Sequence, residues 1–335
     1  MILAIQTLQH FAVDGICAAN LARYAIDEEF FDQIVLYFGI YNLIAFGTQW
    51  LMGLAIDRKF IGIKIAFGIS IATLTLGSIQ SLGIMNQAIL LGIGNSIFHV
   101  AGGSLVLNRY QTFKELGIFV SSGAIGLALG LNGIVGFEIF LPLYWALTIL
   151  FLKRFHGELE LPIQTESIQR EDPKTLAMLI CAILLLSCIV LRGFGRGVPT
   201  EFVMLFPCVL AIGKSLGGFV CDRFGFRRTI LAILLIGTVA IQFEGLAPIL
   251  ILTLALNMTM PLTLRLVHWC NPKFPGMMFG LAAGCLLPGA FFHESIPPQV
   301  TVTIQFLTLF IAGYLIQKFA REDFDARYRT SYSGN

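Results

Sequence analysis

Long apolar runs separated by short polar segments make up most of this 335-residue chain. Many runs reach roughly 18 residues, the length that an α-helix needs to cross a hydrocarbon layer about 30 Å thick. Apolar and polar residues do not alternate over segments of about 10 residues, as they do in transmembrane β-strands. The pattern predicts twelve membrane-spanning helices, with ten or eleven left open, at residues 2–22, 33–56, 61–82, 87–108, 116–137, 138–153, 175–193, 201–221, 229–244, 246–264, 276–292 and 300–319.

The composition indicates that lipid is the solvent of this surface. Hydrophobic residues make up 56% of the chain and charged residues 13%, whereas a soluble domain carries about 25% charged residues. The seven cysteines lie in or beside apolar runs without metal-type spacing, which is typical of small buried residues with reduced thiols. No catalytic triad, phosphate-binding loop, dinucleotide fingerprint or metal cluster is evident. We therefore expect no enzyme activity, no cofactor, no metal and no nucleic-acid partner.

One membrane-to-loop junction occurs twice, half a chain apart. Gly53–Arg58 ends one apolar run, and Gly218–Arg223 ends another after an offset of 165 residues. Such a repeat indicates two homologous halves, which is how many transporters are built. We expect the charged residues of the junctions to bond across the interface between the halves in one state and to release in another. These predicted gating residues are Asp57, Arg58, Asp222, Arg223, Arg227 and Arg228.

The basic residues sort to one side of the predicted membrane. If both termini lie inside, the inner segments hold 18 of the 22 lysines and arginines and the outer segments hold 3. The positive-inside rule predicts such a bias, so we expect both termini to be cytoplasmic. The domains are then a six-helix bundle at 1–154, a cytoplasmic linker at 155–174, a second six-helix bundle at 175–320 and a cytoplasmic tail at 321–335.

The repeated Gly-x-x-x-Asp-Arg junction resembles the loop signature of the major facilitator superfamily. The run Gly92–His99 in the fourth span, together with His10 and Asp14 in the first, resembles the fosmidomycin-resistance type of efflux transporter within it. The resemblance implies an all-α integral membrane protein of two pseudo-symmetric six-helix bundles around a cavity that opens to each side in turn. It also implies a monomer in a bacterial inner membrane, with a small-molecule substrate and protons as partners.

Ionisable residues inside the hydrocarbon indicate a function, because inserting each of them into the membrane costs a few kcal/mol on insertion scales. His10 and Asp14 are spaced i, i+4 and share one helix face. From the rise of a helix, His10 and His99 lie at about the same depth, roughly 13–15 Å from the inner surface. We predict that Asp14, His10 and His99, with Asn95 one turn away, form a proton-coupling and substrate site. The alternative is that they only hydrogen-bond helix to helix.

Three further cations have several interpretations. Lys214, seven residues before the inner end of its predicted span, either extends to the inner surface, pairs with a buried acid or attracts an anionic substrate. Arg192 and Arg196 flank glycines at the outer end of the seventh span. They are either interfacial anchors or an outer gate that selects anions.

Small residues recur at helical spacing in two spans. Gly126-x-x-x-Gly130 and Gly280-x-x-x-Gly284 predict faces on which helices approach closely.

The sequence as a whole predicts a secondary active transporter that exports a small organic molecule, coupled to inward proton flow. One alternative is an organic-anion carrier or exchanger that uses Lys214, Arg192 and Arg196. Another is a non-transporting membrane sensor or assembly factor on a transporter fold.

Overall fold

A computed structural model describes residues 1–25, 31–155, 172–193, 204–288 and 298–319. Helices account for nearly all of this part of the chain, and no strand occurs in it. The α-helices within these residues are α1 (Ile2–Ala25), α2 (Phe31–Gly47), α3 (Gln49–Asp57), α4 (Ile63–Gly77), α5 (Ile84–Arg109), α6 (Phe113–Leu131), α7 (Phe137–Arg154), α8 (Asp172–Gly193), α9 (Leu205–Phe224), α10 (Phe226–Ala240), α11 (Leu246–Cys270), α12 (Pro275–Gly284) and α13 (Pro298–Phe319).

The predicted all-helical membrane architecture is confirmed. Six segments of the described chain, in α1, α2–α3, α5, α6, α9 and α11, are long and apolar enough to cross a bilayer by length and composition. Shorter apolar segments lie in α4, α8 and α13. Counting α2 and α3 as one interrupted helix, the described part of the chain has twelve α-helices, six on each side of the segment that separates α7 from α8.

The second predicted span is not one continuous helix. A helix break at Thr48 separates α2 from α3. The Thr48 hydroxyl donates to the carbonyl of Ile44 at 2.7 Å and lies 2.9 Å from the hydroxyl of Ser96 on α5. A threonine that bonds back to the carbonyl four residues earlier often bends a helix. Hydropathy missed the break because both sides of it are apolar.

The two halves meet along two pairs of helices. In one pair α6 of the first half packs on α9 of the second, and in the other α3 of the first half packs on α12 of the second. Within the halves, α1 packs on α6 and α7, and α11 packs on α9 and α8. The interface therefore uses corresponding helices of the two halves, as a pseudo-two-fold relation requires.

Both predicted small-residue faces pack closely, but at different interfaces. A Cβ added at Gly126 would overlap the carbonyl oxygen of Phe11, so this face seats α6 on α1 within the first half. A Cβ added at Gly280 would overlap the backbone of Gln49, so this face seats α12 on α3 across the halves. Backbones that approach this closely gain van der Waals contact that larger residues would prevent.

Candidate functional site

His10, Asp14 and His99 come together between α1 and α5. The Nε2 atoms of the two imidazoles lie 2.9 Å apart. One carboxylate oxygen of Asp14 lies 3.3 Å from Nε2 of His10, and the other lies 3.4 Å from Nε2 of His99. We call these three residues the central trio. The predicted convergence of the three side chains is therefore present in the structure, although they come from positions up to 89 residues apart.

The hydrogen bonds of the two Nδ1 atoms determine whether the Nε2 atoms, which face each other, act as donors or acceptors. Nδ1 of His10 lies 2.7 Å from the carbonyl oxygen of Phe119, and Nδ1 of His99 lies 2.9 Å from that of Asn95. Because a carbonyl oxygen only accepts, each Nδ1 carries a hydrogen and donates it. In neutral imidazoles both Nε2 atoms are then bare acceptors. Two nitrogen lone pairs and a carboxylate face one another, and a hydrogen-bond donor, a proton or a cation between them would satisfy all three groups.

The surroundings of the trio hold it in place. His10 and His99 are 5% and 8% exposed, so their rings have little freedom. The amide of Asn95 donates to Asp14 at 3.2 Å, and its nitrogen also lies 3.7 Å from the sulfur of Cys17. A Cβ added at Gly123 of α6 would overlap the Asp14 carboxylate and lie 2.5 Å from Nε2 of His10. The absence of a side chain at this position gives the trio its space.

An aromatic layer lies on one side of the trio. The ring of Phe119 is 4.8 Å from that of His10 and 6.2 Å from that of Phe279, which comes from α12 of the other half. Phe279 packs on Gly103, where a Cβ would lie 2.5 Å from its ring. Gly103 is one helical turn beyond His99 toward the end of α5. The layer therefore separates the trio from the membrane face that carries the Gly-x-x-x-Asp-Arg junctions, here called the junction side.

Lys214 lies on α9 of the second half and is half-buried. Asp14 and Arg192 are near enough to act electrostatically on its ammonium. The sequence left open whether Lys214 extends to the inner surface, pairs with a buried acid or attracts an anionic substrate, and these interpretations stay predictions.

Arg192 lies in the last turn of α8, as the sequence predicts, and contacts α11. Its guanidinium donates to the hydroxyls of Thr259 and Thr263 at 3.4 and 3.3 Å. These threonines lie near the middle of α11, so the Arg192 side chain faces a neighbouring helix of its own half. The choice between an interfacial anchor and an outer gate stays a prediction. Arg196 lies outside the described residues, as do most of the predicted linker and the predicted tail.

At the first junction Asp57 binds the start of a helix in the other half. Its two carboxylate oxygens accept the backbone N–H groups of Gly276 and Met277, at 3.0 and 2.8 Å. These N–H groups belong to the first turn of α12, which has no partners for them within the helix. A carboxylate there also interacts favourably with the helix dipole. Gly53, one turn before Asp57, lets α12 approach, because a Cβ there would overlap the carbonyl of Gly276.

The second junction repeats this arrangement with the halves exchanged. Asp222 accepts the backbone N–H groups of Phe113 and Lys114 at the start of α6, at 3.0 and 2.9 Å. Gly218 allows the approach, since a Cβ there would lie 2.5 Å from the Phe113 carbonyl oxygen. The repeated spacing of glycine and aspartate thus has one physical meaning in both halves. The glycine admits the helix end, and the aspartate one turn later caps it.

The predicted arginine partners lie around these caps. The guanidinium of Arg58 stacks over the ring of Phe274, 5.3 Å from its centroid and just before α12. Arg223, Arg227 and Arg228 are exposed. The aspartates, and not the arginines, therefore make the backbone contacts between the halves that the structure describes at the two junctions.

Sequence reasoning missed Arg265 as a site residue. It is fully buried in α11 and donates to three carbonyl oxygens of the other half, those of Leu107, Tyr110 and Thr112, around the end of α5. Carbonyls at a helix end lack partners within the helix, and a cation satisfies both their hydrogen bonds and the dipole. The available signal is that Arg265 lies within a long apolar run, directly after the predicted tenth span, where a loop charge is not expected.

Comparison with known proteins supports the fold. No family model matches the chain, and no curated protein matches it. Among solved structures, the major facilitator superfamily transporter FucP in the outward conformation aligns with a TM-score of 0.64 and 11% identity, covering 95% of this chain and 97% of FucP. A variant of the E. coli fucose:proton symporter FucP aligns with a TM-score of 0.61 and 12% identity over 95% and 97% of the two chains.

A third solved structure is a bacterial homologue of the iron transporter ferroportin in the outward-facing state. It aligns with a TM-score of 0.57 and 14% identity, over 96% of this chain and all of that chain. These likenesses show that the chain has the major facilitator fold. The fosmidomycin-resistance type remains a prediction from the sequence.

Proposed function

We propose that this protein is a secondary active transporter that exports a small organic molecule by alternating access, driven by inward proton flow. One observation carries the proposal: the Nε2 atoms of His10 and His99 and the two carboxylate oxygens of Asp14 face one another, with separations of 2.9 to 3.4 Å between the side chains, inside a two-bundle fold. A polar cluster of this kind is costly in the membrane interior and is typical of a substrate or ion pathway.

The chemistry of the trio supports a role in coupling. One proton between the two Nε2 atoms satisfies both imidazoles and places positive charge beside the Asp14 carboxylate. Loss of that proton leaves three acceptors in mutual repulsion. The trio then favours a substrate that supplies a hydrogen-bond donor or a positive charge. Proton and substrate exclude each other from one site, which is the requirement for exchange.

The junctions support a role in timing the alternation. Asp57 and Asp222 hold the helix ends of the opposite halves together, and Arg265 adds a third bond between the halves on the same side. We infer that this state is closed at the junction side and that its bonds break when that side opens. The excess of basic residues in the loops of this side supports its assignment as the cytoplasmic face of a bacterial inner membrane.

The decisive experiment removes the charge of the trio while keeping its shape. A thermal-shift screen of small organic molecules, repeated across pH, first identifies a ligand of the purified protein. Asp14→Asn in proteoliposomes is then expected to abolish transport driven by a pH gradient while membrane insertion and thermal unfolding stay close to those of the wild type.

The matched control is Gln9→Met on the same helix. Gln9 is fully buried and donates to Thr148, away from the trio. This variant is expected to keep gradient-driven transport. Full activity of Asp14→Asn would remove Asp14 from the mechanism.

The second half favours an alternative, in which the protein is an organic-anion carrier or exchanger. The second half carries two cations, Lys214, whose ammonium interacts electrostatically with Asp14, and Arg192, which contacts α11. In this case transport survives collapse of the pH gradient and fails in Lys214→Gln. Transport that needs the gradient and tolerates Lys214→Gln decides against the anion carrier.

A further inference from the structure

We propose that the central trio is also a binding site for a divalent first-row transition-metal ion of the zinc class. Its three ligand atoms, Nε2 of His10, Nε2 of His99 and a carboxylate oxygen of Asp14, all lie within 4.8 Å of one another. The sequence predicted no metal site, because the ligands have no characteristic spacing along the chain. The helices α1 and α5 create the site by packing.

The separations between the ligand atoms are close to those around a bound metal ion. Zinc ligands lie about 2.0–2.1 Å from the metal, so two ligands of a tetrahedral site are about 3.4 Å apart and two adjacent octahedral ligands about 3.0 Å. The two Nε2 atoms lie 2.9 Å apart, and each lies 3.3 or 3.4 Å from a different oxygen of the Asp14 carboxylate. With one carboxylate oxygen as the ligand, the three atoms lie within 4.8 Å of one another, so a metal ion between them needs a rotation of the Asp14 carboxylate.

The outer hydrogen bonds also suit a metal site. Histidine ligands usually donate their second ring N–H to a carbonyl or carboxylate, which fixes the tautomer and the ring orientation. His10 and His99 both do so, toward the carbonyls of Phe119 and Asn95. Both Nε2 atoms are thus already in the state that binds metal.

Asn95 adds an independent observation. It is 2% exposed, and its side-chain oxygen has no hydrogen-bond partner among the described residues. Its amide nitrogen is bonded to Asp14. A water molecule in the fourth coordination position would give the Asn95 oxygen a donor. Three protein ligands with an open position are typical of metal sites at which the remaining ligand exchanges.

The donor set selects the class of metal. Two imidazoles and one carboxylate suit zinc, cobalt, nickel and iron in their divalent states. Calcium and magnesium prefer oxygen ligands, in larger number, and are not expected to bind. The same three atoms hold the coupling proton in the proposed function, on which this inference otherwise does not depend. Metal ion and proton are then mutually exclusive occupants.

The test is equilibrium binding to the purified full-length protein in detergent, prepared with a histidine-free tag. Calorimetric titration with Zn²⁺ is expected to show one saturable site, with proton release that varies with pH. His10→Gln and His99→Gln are each expected to weaken this site at least tenfold. His156→Gln, in the polar segment between the halves, is the matched control and is expected to bind as the wild type does. Mg²⁺ is expected to give no heat of binding.

Binding of Co²⁺ to the wild-type protein provides a second test if the histidine variants fail to fold. Co²⁺ added to the wild-type protein is expected to produce visible d–d absorption bands that saturate at one equivalent and disappear on addition of Zn²⁺. Absence of saturable binding to the wild type, or equal binding by His10→Gln and His156→Gln, overturns the inference. Proton-driven export without metal binding would contradict the metal site alone. Metal binding without proton-coupled transport would contradict the proposed function alone.

Discussion

The two halves of this protein are alike where they touch and unlike at their centres. At the junction side each half contributes a glycine and an aspartate one turn apart, and each aspartate caps a helix of the other half through two backbone N–H groups. Away from the junctions the first half carries a carboxylate beside two imidazoles. The second half carries Arg192, which donates to two threonine hydroxyls, and the half-buried Lys214.

The difference between the junctions and the centres separates two tasks, which are joining the halves and binding an ion or a substrate. Joining the halves requires the same contacts from both of them, because a pseudo-two-fold axis relates the helices that meet. Binding an ion or a substrate at the centre has no such requirement, since one half can carry all the ligand atoms while the other closes over them. Under the proposed function, the repeated residues time the conformational change and the unrepeated residues bind the proton and the substrate.

The largest expected effect comes from filling the space beside the trio. Gly123→Val places atoms where the Asp14 carboxylate and the His10 ring now lie. We expect transport to be abolished, because the trio cannot assemble against a β-branched side chain. Transport in proteoliposomes is the measurement. Gly68→Val on α4, where an added Cβ meets nothing within 4 Å, serves as control and is expected to remain active.

A smaller loss is expected from blocking one junction at a time. Gly53→Val and Gly218→Val each push a side chain into the backbone of a helix in the other half. Backbone cannot move aside as a flexible side chain can, so closure at the junction side fails. If the halves are equivalent here, the two variants lose transport to a similar extent. A large difference in transport between the two variants would show that one junction controls the alternation, and it would contradict the equivalence of the two halves at the junction side.

Removal of the aspartate caps is expected to act more mildly. Loss of a capping side chain costs about 1 kcal/mol, which corresponds to about a fivefold shift in the equilibrium between the closed and open junction. Hydrogen exchange reports this directly. In Asp57→Ala the amides of Gly276 and Met277 exchange faster, while those at the start of α6 are unchanged. Asp222→Ala gives the reverse pattern, and faster exchange at both ends in each variant would mean that the junctions open together.

The smallest effect is expected at the centre of the second half. Thr263→Val removes one hydrogen bond of 3.3 Å from Arg192, which retains its bond to Thr259. We expect a loss of thermal stability below about 1 kcal/mol and little change in transport. Asn95→Leu, which removes the bond to Asp14 in the first half, is expected to impair transport much more. Equal effects of the two variants would contradict the assignment of the central function to the first half.

Much of the architecture follows from local features of the chain. The twelve helices follow from run length, and their number is unaffected by the break at Thr48 because hydropathy does not depend on helix continuity. Helical rise gives His10 and His99 a common depth to within about a turn. It does not specify that the two side chains face each other. That contact depends on how α1 packs on α5, and hydropathy carries no information about that packing.

The sequence by itself determined the membrane, the two related halves and the presence of costly polar groups at mid-depth, because each of these depends on local composition and spacing. Only the tertiary structure decided what those groups do to one another. It brought three ligand atoms to one point, directed Asp57 and Asp222 to helix ends in the opposite half, and placed Arg265 on the carbonyls around the end of α5. Such contacts join residues far apart in the chain, so no local pattern specifies them.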